Sequence, residues 1–158
     1  MKYLYILSAL IIALILGCKK EKRVLEPRYV PVDAISGSWV LEKAIQKDTT
    51  ALVIEESDIT DYYHKGTLPN FTLNKAGMTL TSDTAGVIKK HFIHSGKWML
   101  DDADYPTALI LDNNAGNVQV LRLAAPVRPT DQTMKLSKIY TCTSGDYVFT
   151  YVWTFKRK

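Results

Sequence analysis

The chain has 158 residues, 47% of them hydrophobic, with 20 Lys+Arg against 16 Asp+Glu and a formal net charge of +4. Such a modest positive balance argues against a nucleic-acid partner, which asks for a dense basic surface. At this length roughly two-thirds of the unfolded chain's surface can be buried, so one domain can hold itself together without metals or a disulfide scaffold.

Met1-Lys2 opens the chain with one base, and from Tyr3 to Leu16 every residue except Ser8 is apolar or aromatic. The run stops at Gly17-Cys18, and Lys19, Lys20, Lys22 and Arg23 follow. A helix that crosses a bilayer needs about 20 apolar residues. A charged start, an apolar stretch of about 7–15 residues and a small residue before the cut describe a secretion signal instead. Residues 1–17 are therefore expected to be removed, and 18–34 to form a tether. The tether's bases can rest against anionic head groups, and Glu26-Pro27 and Val30-Pro31 suit an extended spacer. Taking the 17 leader residues from 158 leaves 141, and taking Lys2 from the 20 bases leaves 19 against 16 acids.

The folded domain is expected over residues 35–158, and its dominant period is two. Trp39, Leu41 and Lys43 alternate with Ser38, Val40 and Glu42 in a first strand. The segment Ser57 to Gly66 breaks the pattern: it opens with a capping residue and acids and closes with a base and Gly, which predicts about two turns of helix. Phe71–Leu73 and Met78–Leu80 then flank the turn Asn74-Lys75-Ala76-Gly77, and a strand is expected over Lys90 to Leu100. Thr107–Leu111 and Val118–Leu123 flank Asn113 to Asn117, and Met134–Thr141 leads through Ser144-Gly145-Asp146 into the last strand. There Tyr147, Phe149, Tyr151, Trp153 and Phe155 fall on one face. A helix would scatter these rings around its axis. Short strands at this spacing predict an all-β sandwich or barrel.

Few residues suggest catalysis. His91 and His94 would point to opposite faces of a strand, and His64 is remote in sequence, so no metal is expected. Asp101, Asp102 and Asp104 lack the order and glycine of a calcium loop and read as an acidic turn. No serine sits in a Gly-x-Ser-x-Gly elbow, and Glu55-Glu56 are adjacent in an expected loop rather than facing one another. No cofactor and no enzymatic activity are expected. Cys142 reads as a small buried hydrophobe.

Ile15-Leu16-Gly17-Cys18 resembles the bacterial lipobox, which implies cleavage after Gly17 and a diacylglycerol on the Cys18 thiol. With Cys18 lipidated, no intramolecular disulfide remains. Gly37-Ser38-Trp39 matches the Gly-x-Trp motif of lipocalins, and Gly96-Lys97-Trp98 repeats it. Together with Asp58 to Tyr63, Asp101 to Pro106 and Tyr147 to Lys158, these pieces resemble the lipocalin-like lipoproteins of unknown function of Bacteroidota. The resemblance implies an antiparallel up-and-down barrel of about eight strands with one short helix. It also implies that Lys156 or Arg157 packs over Trp39 to close the barrel base, a cation–π contact worth roughly 0.5–2 kcal/mol. Asp48-Thr49-Thr50 and Asp83-Thr84-Ala85 resemble the O-glycosylation acceptor of the same bacteria.

An eight-stranded barrel is just wide enough to be filled by side chains or to hold one small ligand. The candidate lumen residues are Trp39, Trp98, Arg122, Tyr147, Phe149, Tyr151 and Trp153, with Arg122 as an anchor for an acidic head group or simply an outward charge. Two functions follow: a tethered barrel that binds a small apolar or amphipathic ligand, or a filled barrel that docks other envelope proteins. Lys19 after the lipidated cysteine implies export to the outer membrane, and a basic tether favours its periplasmic face.

Overall fold

The computed structural model describes residues 29–48, 50, 53–63, 70–82, 92–93, 95–141 and 147–158, with the backbone alone of Tyr147 and Val148. The expected signal segment, Cys18, the tether up to Arg28, Thr49, His64, Asp83-Thr84-Ala85, His91, His94, Cys142 and the 144–146 turn lie outside the described residues.

Among the described residues there are nine strands, β1 (Gly37–Asp48), β2 (Glu55–Asp58), β3 (Asn70–Asn74), β4 (Thr79–Ser82), β5 (Ser95–Leu100), β6 (Ala108–Asp112), β7 (Val118–Leu123), β8 (Thr133–Thr141) and β9 (Tyr147–Arg157). Two single-turn α-helices accompany them, α1 (Pro31–Ile35) and α2 (Thr60–Tyr63), with a 3-10 turn over Ala76–Met78 between β3 and β4. Every pairing is antiparallel, from β1–β3 through successive neighbours to β8–β9, and β9 returns to β1 along Trp39↔Arg157 to Asp48↔Phe149. The eight strands β1 and β3–β9 therefore close on themselves as an up-and-down, lipocalin-like barrel, with β2 added outside the ring.

β1 organises the closure. Its far edge pairs with β3 over Gly37–Val40 and with β2 over Ile45–Asp48. In the gap, Ile59 N–H donates to the Ala44 carbonyl at 2.9 Å and Ala44 N–H donates to Thr60 Oγ1 at 2.9 Å. A backbone unit that would otherwise be an unpaired edge is thus satisfied by the start of α2. On the β9 side the register shifts between Leu41 and Lys43. This bulge exchanges the inward parity from odd to even positions, so Trp39 and Leu41 are followed by Ala44 in the core.

The sequence-based expectations need four adjustments. The first strand runs on to Asp48, past the bulge. Glu55 to Asp58 form β2 rather than a loop, and the helix expected from Ser57 is one turn at Thr60–Tyr63, with residues 64–66 outside the described set. Asp58 still caps it, accepting from Thr60 N–H at 3.0 Å. The strand expected from Lys90 begins at Ser95, while Phe92, 8% exposed, enters the core off the ladder. The folded part also begins before residue 35: Pro31 occupies the first turn of α1, where a missing N–H costs nothing, and Ala34 and Ile35 are fully buried.

One end of the barrel, the base, gathers α1, the β3–β4, β5–β6 and β7–β8 connections and the C-terminus. Trp39 Nε1–H donates to the Ile35 carbonyl at 2.8 Å, and the Arg157 guanidinium lies 4.3 Å over the Trp39 ring. Arg157 also donates to the carbonyls of Ser36 at 2.9 Å and Ala34 at 2.5 Å. Of the two expected bases, Arg157 closes the base, and Lys156 is exposed. Gly37 (φ +126°) leaves the room this requires: a Cβ there would stand 3.0 Å from an Arg157 nitrogen. The second Gly-x-Trp works alike, since Trp98 donates to the Asn74 carbonyl at 3.0 Å. At Gly96 (φ +149°) a Cβ would meet the Asp112 carbonyl oxygen at 1.9 Å, so no other residue fits.

Candidate functional site

The inner wall of the barrel divides into two halves. From the base upward, Trp39, Leu41, Ala44, Leu73, Trp98, Leu109, Leu121, Met134, Leu136, Trp153 and Phe155 are all at most 1% exposed. Rings fill this lower half in edge-on contact: Phe71 with Phe155 at 4.6 Å, Phe92 with Trp153 at 4.6 Å and with Phe155 at 5.9 Å. Edge-to-face geometry is what the charge distribution of aromatic rings favours at these separations. Gln119, the one polar residue buried here among those described, accepts from Ile93 N–H at 3.1 Å and so fastens the Phe92 insertion.

One step above this floor the burial changes. Gln46 on β1, Lys138 and Tyr140 on β8, and Phe149 and Tyr151 on β9 face inward by register, since Gln46 and Lys138 are both opposite Tyr151 and Tyr140 is opposite Phe149. All five are only half-buried. Tyr151 stacks on Trp153 with centroids 5.8 Å apart and planes 11° from parallel, and its ring meets Tyr140 edge-on at 5.2 Å. The Lys138 ammonium lies 4.9 Å over the Tyr140 ring. Burial pulls the Lys138 amine below its ordinary range and pushes the Tyr140 phenol up.

Tyr63 joins this upper half from α2. Its ring is 5% exposed, and its hydroxyl accepts from Trp153 Nε1–H at 3.1 Å. Burial pushes the Tyr63 phenol up to about 12 against the lowering effect of that bond, with Tyr151 and Tyr140 adding to the rise. Tyr63 is thus neutral at any ordinary pH. The sequence marked α2 but not the reach of Tyr63 across the lumen, because nothing in a lone Tyr-Tyr pair says which ring turns inward.

Of the residues expected to line a lumen, Trp39, Trp98 and Trp153 belong to the sealed half. Phe149 and Tyr151 line the half-exposed half, and the Tyr147 side chain lies outside the description. Arg122 does not face the lumen: it is exposed on β7, whose inward residues are Gln119 and Leu121. Among the described residues of the upper half the inward cation is Lys138, which the sequence reading missed. Counting by twos from Met134 and Leu136 would have placed it on the inner face.

A concavity lies outside the barrel at the base, a groove of about 650 Å³ whose lining includes Tyr29, Asp104, Tyr105, Pro106, Pro126 and Arg128. Tyr105 is 79% exposed there. The acidic turn beside it is spent on its own backbone. Asp101 accepts from the Thr107 hydroxyl at 2.6 Å and from the N–H groups of Thr107 and Ala108 at 2.9 Å each, and Asp102 accepts from those of Asp104 and Tyr105 at 2.7 Å each. These bonds, led by that from Thr107, hold the Asp101 carboxyl down at about 2. Among the described residues no cluster of three or more His, Cys, Asp or Glu could hold a metal, and no helix is long and apolar enough to cross a membrane. No known protein family, characterised protein or solved structure matches the chain.

Proposed function

We propose that the chain is an exported, lipid-anchored protein whose barrel binds a small apolar or amphipathic ligand in its upper half. The observation that carries this reading is the fall in burial along one continuous inner face, from Leu136 and Trp153 at 0% exposure to the half-buried Lys138, Tyr140 and Tyr151. A half-buried aromatic wall with a few polar groups has the composition of small-molecule sites. Its tyrosines offer both an apolar ring and a hydroxyl. The role is binding, not catalysis.

In this reading Cys18 carries the lipid and the barrel stands at the periplasmic face of the outer membrane. Tyr29 lies beside the base, at the sealed end of the barrel. Native mass spectrometry of the purified protein, alone and with added long-chain amphiphiles, tests the reading. One ligand per chain, weakened by Tyr151→Ala, is the expected result; the absence of any adduct overturns it. Metabolic labelling with a palmitate analogue tests the anchor, with label expected in the natural chain and lost in Cys18→Ala.

The base groove favours a second reading, docking to another envelope protein. Tyr105 and Pro126 supply apolar surface there and Arg128 a charge. In that case crosslinks from the Tyr105 position would capture a partner, and ligands of the lumen would be without effect on the capture.

A further inference from the structure

Resting on the lumen reading above, we propose that the ligand is an anionic amphiphile that enters head first, with Lys138 holding its acidic group at the floor of the open half. Three observations converge on this residue. Lys138 is the inward position directly above Leu136, which is 0% exposed, so its backbone stands where the sealed core ends, and its ammonium lies over the ring of Tyr140, the next inward residue. Among the described residues no carboxylate comes within ion-pair distance of it; the exposed Lys97, Lys135, Lys156 and Lys158 also lack one, but Lys138 is half-buried and its ammonium meets only the Tyr140 ring. Tyr140 and Tyr151 surround it on β8 and β9, and Tyr63 reaches the same level from α2 through its bond to Trp153. The nearest acid on the neighbouring inner face, Asp48 at the rim of β1, accepts from Thr50 N–H at 2.8 Å and from its hydroxyl at 2.6 Å.

A half-buried cation without a counter-charge is unfavourable in the empty protein, since desolvation is not offset by pairing. Leu or Met at this position would continue the core below it. A ligand carboxylate or phosphate supplies the missing charge in a partly dry site, where a charge-assisted hydrogen bond is stronger than at the surface. The apolar body of the ligand then lies toward the mouth, against Tyr140 and Phe149.

Calorimetric titration of the full chain with decanoate, decyl phosphate and decanol separates the possibilities. Both anions are expected to bind at least tenfold more tightly than decanol, and the stronger of the two identifies a carboxylate or a phosphate head. Lys138→Met should remove that advantage and leave decanol unchanged, while Lys138→Arg keeps it. If decanol binds and neither anion is favoured, or if Lys138→Met retains the preference, the head-group assignment is overturned and the lumen reading stands. If no probe binds, both fall. Should Lys138→Met not fold, the natural chain decides with reductively ¹³C-methylated lysines: one resonance that titrates abnormally low should move to higher pH on adding decanoate, and no such movement overturns the assignment.

Discussion

The base and the upper half of this barrel are built on the same strands, yet they meet different requirements. At the base the polar side chains are bonded inward: Trp39 to the Ile35 carbonyl, Trp98 to that of Asn74, and the terminal nitrogens of Arg157 to those of Ala34 and Ser36, while its Nε stays buried without a partner. One rung above Leu136 and Trp153 the wall keeps its alternation but gains Lys138, Gln46, Tyr140 and Tyr151, none of them as tightly enclosed as the core below. A continuous strand can therefore carry a stability region and a recognition region in sequence, the boundary being set by a change of residue type rather than of backbone.

Substitutions can break that contrast. The largest effect is expected for Trp153→Ala: a fully buried ring that touches Phe92, Tyr151 and Tyr63 is lost, at about 3–5 kcal/mol. Urea denaturation should show it as a lower midpoint, and a cost below 1 kcal/mol would mean the base is not the stabilising half. Arg157→Met removes the cover from Trp39 and leaves two carbonyls unpaired, with a cost of about 3 kcal/mol, and Arg157→Lys should restore little of it because only the planar fork reaches both carbonyls. Tyr63→Phe leaves the Trp153 indole N–H without its acceptor, at about 1–2 kcal/mol.

In the upper half, Tyr140→Leu should change stability by less than about 1 kcal/mol while weakening ligand binding, since its half-buried ring supports little of the core. A loss comparable to that of Trp153→Ala would erase the distinction between the halves. The smallest effect belongs to acid. The Asp101 carboxyl is held at about 2 in the folded chain, below its ordinary value near 3.8, so its contribution is complete above pH about 4 and fades as the pH falls through 2. The melting-temperature difference between the natural chain and Asp101→Asn should shrink over that window, and a constant difference would show that the acidic turn does not support the base through its charge.

Much of this architecture can be read from the chain because aromatic alternation in Tyr147–Phe155 and paired Gly-x-Trp segments leave few other folds. What stays hidden has local causes. The bulge at Leu41/Lys43 puts Glu42 and Lys43 side by side on the exposed surface, so the alternation breaks after Leu41, and the inward face resumes three residues on, in the opposite phase, at Ala44. Pro31 reads as a spacer proline and Asp58 as a helix acid, yet one starts a buried turn and the other ends a strand. The inward cation is missed for a subtler reason: Lys138 follows two apolar inward residues, and only strict parity, against its polarity, places it inside.

β2 pairs with β1 alone among the described strands and so forms a border of the sheet beside the ring. Its sequence, Glu55-Glu56-Ser57-Asp58, is four residues long, fully exposed and triply acidic. A border so brief and so charged is a poor template for another chain. Many copies crowded together would repel one another along this border.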